Sequence, residues 1–463
     1  MKWNLNKYCF GLLLILLLAG SSSLWAQSVR SLYFIDNAPA RLNLNPALQP
    51  MRGYLNLPVV GGFDISAVSD PLSVNDFKDI LSQKNGFLEN DVLMGKLKKD
   101  NRLNLGISAD LLALGFYIGK GFCTMNISTR IMLNASIPKT LFEFARHSND
   151  LQKLINEPDL SVLDEWERLK NGYEVEGLQI GADAFVELGV GYSRPVDERL
   201  TVGGRLKILI GLGNIDAHID EMSIRVNNPA PQSPSDLQNL SWRVKAQGNL
   251  KASVKGLGLT EEDGYISDID LGSPGVGGFG LGIDLGAVYA VFPGLAVSAA
   301  VTDLGFIRWS DAATTSAIVN ESHDYNVGEE GTQVLDFDLL RFEKEKTAAG
   351  RTSSLRSNLN LGIEYSLLEK QLGFGLLSTT RFQKGGAFSE LTASANYHPR
   401  NWLGATLSYS FLHSDFKTFG LGVKLGPLFL ATDYMVTGNL DSISRVNAYL
   451  GFCIPLGPKK KTN

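Results

Sequence analysis

Cysteine is scarce, with three in 463 residues, so no disulfide framework holds this chain together. The five histidines, His147, His218, His323, His398 and His413, are scattered, and none has a histidine partner at metal-site spacing. Charge is also sparse. Only 20% of residues are Asp, Glu, Lys or Arg, which excludes a disordered polar chain. Lys and Arg number 43 against 48 Asp and Glu, with no basic cluster, so nucleic acid is not an expected partner. Beyond residue 26 no uninterrupted apolar run reaches the roughly 18 residues that a membrane-crossing helix requires. Walker A, H-E-x-x-H, G-x-S-x-G and C-x-x-C signatures are missing too. Residues 275–280, GVGGFG, spell G-x-G-x-x-G, but a β pattern follows where a dinucleotide site needs a helix, so these are read as turn glycines. Neither a cofactor nor a metal is expected, and the chain is not read as an enzyme.

What the sequence does have begins with an export signal. Lys2 and Lys7 precede a short apolar run, Phe10–Ala19, and Gly20–Ser23 lead to an expected cut after Ala26. Residues 1–26 are therefore read as a signal peptide. Cys123 and Cys453 remain in the mature chain. Side-chain parity puts them on opposite faces of a wall, so they are expected to stay unpaired.

Glycine is abundant, with 48 residues, and the strongest pattern is alternation. Over 178–193 the even positions are Leu178, Ile180, Ala182, Ala184, Val186, Leu188, Val190 and Tyr192. The odd positions are polar or small apart from Phe185. Successive side chains of a strand point to opposite faces, so this is a long two-faced strand. The same period recurs at 200–212, 279–291, 359–367, 403–411 and 419–425. A soluble β-sandwich would also alternate, but with shorter strands at tighter spacing. Strands of ten to fifteen alternating residues behind an export signal fit a transmembrane barrel, which crosses the bilayer in about 9–11 residues.

Connections alternate in length. Short ones fall at Lys120, Pro195–Glu198, Phe292–Gly294, Leu368–Lys370, Pro399–Asn401 and Gly426–Pro427. Longer ones fall at 137–174, 254–276, 310–353 and 437–444. In bacterial barrels the short turns are periplasmic. The expected fold is an all-β antiparallel barrel of 14 strands over residues 61–454. Sixteen is the alternative, depending on whether 216–226 and 241–253 belong to the wall. A helical insertion is expected over 138–170, and 455–463 reads as a solvated tail.

The polar face of the alternation carries Asp183, Glu187, Arg205, Lys207, Asp284 and Glu364, which are expected to line the lumen. They read either as mutual ion pairs that satisfy the interior or as a polar conduit.

The stretch after the signal, with Leu44-Asn45-Pro46-Ala47 and Arg52-Gly53-Tyr54, resembles an uncharacterised Bacteroidetes outer-membrane family. The Gly189–Arg194 strand end and the segment Asp303-Leu304-Gly305 with Trp309 carry the same resemblance. Asn45-Pro46-Ala47 ahead of a barrel is also similar to the long-chain fatty-acid transporter family. That second resemblance implies 14 strands, a plug over residues 27–60, outer-membrane lipid around the wall and a small hydrophobic ligand. A related branch implies a secretion accessory with an envelope protein partner. Three functions therefore stand as expectations: a plugged channel, a non-transporting scaffold and a barrel hydrolase.

Overall fold

The computed structural model describes residues 29–457, except 59–60, 74–75, 77–89, 144–145, 147–169, 171, 230–235, 237–240, 263–264, 327–341, 346–348, 369–370, 384–385, 412–417 and 435–443. The expected signal and the end of the expected tail lie outside the described residues. So does most of the expected helical insertion, of which 139–143 is helical.

Twenty strands form one sheet that closes on itself. The first wall position is shared by β1 (Gly53–Asn56) and β2 (Phe63–Asp70), and is followed by β3 (Asp100–Ile118), β4 (Gly121–Pro138), β5 (Tyr173–Pro195) and β6 (Leu200–Val226). Next come β7 (Ser241–Glu262), β8 (Tyr265–Gly275), β9 (Gly278–Phe292), β10 (Leu295–Trp309), β11 (Thr314–Asn326), β12 (Glu343–Lys344), β13 (Thr352–Ser354) and β14 (Asn358–Leu367). The chain finishes with β15 (Leu372–Gln383), β16 (Gly386–Arg400), β17 (Leu403–Phe411), β18 (Thr418–Leu425), β19 (Leu428–Thr432) and β20 (Arg445–Leu456). β20 pairs with β19 on one side and with β1 and β2 on the other, so the barrel has no free edge.

The wall has 14 positions, all antiparallel. The doubtful segments resolve by sharing positions. The lower part of β6, Leu200–Gly211, pairs with β9, and its upper part, Gly213–Val226, pairs with β7. β7 therefore stands above β9 in the same slot. β11 extends β10 in the same way, since β7 pairs with it from Ser241 to Ser253. The hairpin formed by the end of β7 and β8 leaves the wall between them. Its tip meets β12 through Tyr265 and Glu343, on the far side of β11. The result is a tall outcrop on one side of the barrel rather than two further wall strands. β6 has 27 residues, far beyond the 9–11 that a bilayer needs. On the outcrop, Arg225 pairs with Glu174, Arg243 with Asp324 and Lys245 with Glu221, all exposed to solvent.

Within the belt the two faces are sharply different. Val190, Leu206 and Phe279 are 59–67% exposed, while their neighbours Gly189, Arg205, Lys207 and Gly280 are buried. The apolar parity read from the sequence is the outward face, the pattern of a membrane barrel. Phe185, the apolar exception in its strand, points inward. It packs with Leu209, Ile307 and Trp309 into a small cluster inside the upper lumen. Cys123 lies on the outer face of β4. Cys453 faces the lumen among Tyr54 and Tyr449, and both cysteines are free.

Two boundaries differ from expectation. The wall starts at Gly53 rather than residue 61, because Tyr54–Asn56 already ladder with both β3 and β20. It ends at Leu456 rather than 454, where Gly53 pairs with Leu456.

If this belt meets lipid, Leu206→Arg destabilises the barrel by about 2–4 kcal/mol. Gln247→Arg, on the exposed outcrop, changes stability little. Urea unfolding of the protein folded into bilayers measures both, and equal losses would show that the belt is not in lipid.

Candidate functional site

The lumen is not empty. Residues 29–52 enter it as an irregular plug containing a 3-10 turn, Arg30–Phe34, and a single helical turn, Arg41–Leu44. Val29, Arg30–Ile35, Leu42 and Asn45 are each at most 2% exposed.

One side of the plug is apolar. Val29, Leu32, Ile35, Ala38, Ala40 and Leu42 pack against Tyr54, Ala113, Phe122, Phe429, Ala431, Tyr449 and Cys453. Those wall residues belong to five adjacent positions, β19, β20, β1, β3 and β4. The opposite side combines a small apolar cluster, in which Tyr33, Phe34 and Leu44 pack on Leu377 of β15, with polar contacts to β6, β9, β10 and β14. There the Tyr33 hydroxyl bonds with Ser298 (2.6 Å), and Arg41 donates to Glu364 (2.7 Å). Arg205 donates to Asn43 (2.8 Å), and Asn360 donates to the Leu44 carbonyl (2.9 Å). Burial, and then the nearby Glu364 carboxylate, push the Tyr33 phenol above its usual range, so it remains a neutral hydroxyl.

Asn45-Pro46-Ala47 is where the plug crosses the wall most closely. Asn45 donates to the carbonyls of Ala287 (3.3 Å) and Ala299 (3.5 Å) and accepts the Ala47 N–H (2.9 Å). A Cβ at Gly286 would collide with the Asn45 amide oxygen, and one at Gly203 with the Pro46 carbonyl. Glycine on the lumen face is thus what lets the wall approach this motif. The plug's first residues are fixed by Asp433, just past β19. Its carboxylate accepts the backbone N–H groups of Arg30 (2.8 Å) and Ser31 (2.9 Å) and the Ser31 hydroxyl (2.8 Å). Arg30 also pairs with Glu390.

All six charged residues expected to line the lumen point inward, and they fall into three groups. Lys207 is the centre of the first, with Asp303 at 2.6 Å, Asp284 at 2.8 Å and Glu187 at 3.7 Å. Arg130 closes it through Glu187 (2.8 Å) and Asp303 (3.0 Å), while Arg205 stands 3.9 Å from Asp284. Asp183 pairs elsewhere, with Arg356 (3.0 Å) and Asn214 (2.6 Å). Glu364 binds the plug. Ion pairing inside the barrel thus accounts for most of these charges.

Asp303 was not foreseen as a lumen residue. Parity along β10 puts Thr302 inward and Asp303 outward, but a bulge lies between Val301 and Leu304. Asp303 takes a left-handed backbone, φ 59°, and donates its own N–H to Asp284 (2.7 Å). Arg130 and Arg381 follow their strands' parity and were legible. Asp433 lies beyond a strand end, where parity does not reach. His218 meets Asn249 (3.2 Å) and Asp220 (3.3 Å).

Above the plug lies a cavity of about 100 Å³. Its floor is Asn43 and Leu44. Its walls include Asp64, Arg130, Met132, Phe185, Asp303, Leu355, Arg356 and Arg381.

These features define a class, a closed 14-strand barrel of outer-membrane type with an internal N-terminal plug. The chain belongs to the "Family of unknown function (DUF5723)", which matches residues 46–433. No curated protein matches it. Among solved structures it is similar to a TodX monoaromatic hydrocarbon channel carrying the deltaS2S3 mutation, with 10% identity, 95% of this chain and 96% of that chain covered, and a TM-score of 0.40. It is similar to a FadL homologue from Pseudomonas aeruginosa at 9% identity, with coverage of 91% and 92% and a TM-score of 0.35. It is also similar to the translocator domain of the autotransporter NalP from Neisseria meningitidis at 7% identity, with coverage of 88% and 90% and a TM-score of 0.33. These neighbours include both channels and a translocator, and likeness at this level carries no argument about function.

Lys207→Met leaves the buried Asp284 and Asp303 without their shared cation and destabilises the barrel by about 3–5 kcal/mol. Adding Asp284→Asn recovers part of that loss. Unfolding midpoints in urea measure both; a single variant as stable as the parent would show that the network contributes nothing.

Proposed function

We propose that this protein is an outer-membrane channel closed at rest by its own N-terminal segment, residues 29–52. The observation that carries the reading is the plug's two-sided seat. Its apolar side rests on the five wall positions continuous with its own attachment at Gly53. Its opposite side is held mainly by hydrogen bonds and one ion pair, with one smaller apolar contact on Leu377. Water can replace polar contacts of that kind one by one, so the polar side is the one that releases. The apolar side keeps the plug docked while a path opens past β6, β9, β10 and β14.

The ligand is small. Leu44, Met132, Phe185 and Leu355 give its apolar part a surface in the cavity above the plug, in line with the hydrophobic ligand that the family resemblance implies. A second feature bears on the route. Among the described residues, strand pairing of the first wall position to β3 and β20 stops at Asn56 and resumes at Phe63, with the Gly62 carbonyl accepting from the Asp110 N–H. The reading assigns no catalytic residue.

The packed lower lumen also favours a second reading, a non-transporting scaffold for an envelope complex. Deleting residues 27–47 separates the two. Under the channel reading, liposome swelling or single-channel conductance rises at least tenfold on deletion, and Asn45→Ala or Arg41→Gln gives a smaller rise in the same direction. Unchanged permeability after deletion, in a barrel that still shifts on heating before gel electrophoresis, would leave the scaffold reading standing.

A further inference from the structure

The charged side chains around the cavity above the plug all have partners. Arg356 donates to Asp183 (3.0 Å) and Asn134 (2.8 Å), and Arg381 donates to the Asn358 amide oxygen (2.8 Å). Asp303 is held by Lys207 (2.6 Å) and Arg130 (3.0 Å). Asp64 accepts the backbone N–H of Val29 and lies in the field of Arg130 and Arg381. A molecule entering the cavity meets no charge that is waiting for it.

Two neutral groups in the lining do lack a partner. The Thr379 hydroxyl and the Asn360 amide oxygen make no hydrogen bond among the described residues, and their residues are 3% and 2% exposed. Asn360 of β14 pairs directly with Thr379 of β15, and both side chains turn into the lumen. The Asn360 amide has a fixed orientation, because its Nδ2 donates to the Leu44 carbonyl of the plug (2.9 Å). Its oxygen can therefore only accept, whereas the Thr379 hydroxyl can donate or accept. A buried polar group without a partner is rare, and two side by side call for an explanation.

A single atom would satisfy both. Directly opposed residues of an antiparallel pair have Cβ atoms about 4.5–5.5 Å apart. A hydroxyl oxygen standing between the two groups donates its proton to Asn360 and accepts the one from Thr379. A carbonyl would serve Thr379 and leave Asn360 unpaired. An ammonium or a carboxylate would bring a charge to a lining whose own charges are already paired. The rest of the space is bordered by Leu44, Met132, Phe185 and Leu355. The cavity, about 100 Å³, is several times what one water needs, roughly 10–15 Å³, and smaller than the roughly 150 Å³ that holds benzene.

From this arrangement we infer that the cavity binds a small neutral alcohol. Its hydroxyl bridges Thr379 and Asn360, and its short apolar part lies against Leu44, Met132, Phe185 and Leu355. This inference deepens the channel reading by naming its ligand class, and it rests on that reading only for transport. Binding itself is measured without it.

The test follows the Met132 methyl signal in spectra of the full-length protein in detergent, labelled with carbon-13 at the methionine methyls. Loss of the signal in Met132→Leu assigns it. 2-Propanol is titrated beside four probes of the same size. Acetone only accepts hydrogen bonds, 2-chloropropane is apolar, and acetate and isopropylammonium are charged. 2-Propanol is expected to shift the signal at a concentration about tenfold below any of the others, because a site that bonds a hydroxyl rejects analogues lacking it. Thr379→Val, which keeps the shape and removes the hydroxyl, should raise the 2-propanol concentration about fivefold. Thr379→Ser, which keeps the hydroxyl, should leave most of the affinity. Heat-modifiable gel migration checks folding of each variant, and the comparison of probes needs no variant at all. Another probe acting at the same or lower concentration, no shift with any probe, or 2-propanol binding indifferent to Thr379→Val each overturns the inference. A cavity that holds only ordered water gives the second of these results. A failure here with a conductance rise on plug deletion leaves the gate intact. Alcohol binding without that rise leaves a binding barrel that is not a channel.

Discussion

A closed barrel obliges every wall residue to face either outward or into the lumen, and the rest of this structure follows from that constraint. Closure removes the sheet edge, so the backbone is satisfied within the wall. The outer face is apolar, as the wall of an outer-membrane type barrel is. The inner face is not. A ring of 14 strands encloses more volume than short side chains can fill, and whatever fills it must satisfy polar groups there. The chain answers with two fillings. In the lower lumen its own N-terminal segment packs against glycine. At mid-height, carboxylates and cations from β4, β5, β6, β9 and β10 converge around Lys207.

These fillings differ in what they allow. The Lys207 network joins one wall strand to the next, and breaking it strands buried charge, so it fixes the shape of the barrel. The plug is joined to the wall covalently at Gly53 alone among the described residues, and elsewhere by contacts that exchange. Asp433 shows the division most clearly. It accepts from Arg30 and Ser31 of the plug and also binds Asn447 of β20, so one carboxylate ties the plug to the wall beside its apolar seat.

How much was legible in the sequence follows from the same physics. Alternation with period two reports which side of a wall a residue faces, so Glu187, Arg205, Lys207 and Asp284 could be placed inside before any contact was known. That reading breaks where the strand gains a residue. The bulge at Asp303 turned an outward position into a central member of the ion network. A second register shift, opposite Ala184 and Phe185, divides the belt from the outcrop on β6. Alternation also does not tell which strands are neighbours. β7 alternates as well as any wall strand, and its position above β9 depends on pairing with both β6 and β11, which one strand's pattern does not contain. The plug had no periodicity to read. Its only local signal was Asn45-Pro46-Ala47, and the glycines that accommodate it lie more than 150 residues away, at Gly203 and Gly286.

The cavity shows why composition alone misleads about the ligand. An apolar chain with few charges invites the idea of an apolar cargo, but most of those apolar residues face lipid and never see the lumen. What borders the cavity is drawn largely from the polar parity, with six apolar residues among guanidinium, carboxyl, amide and hydroxyl groups. A purely hydrocarbon ligand would leave the Thr379 hydroxyl and the Asn360 amide oxygen unpaired, which works against its binding. The character of the lumen therefore rests with the few polar residues that the wall turns inward, while the abundant apolar ones face outward.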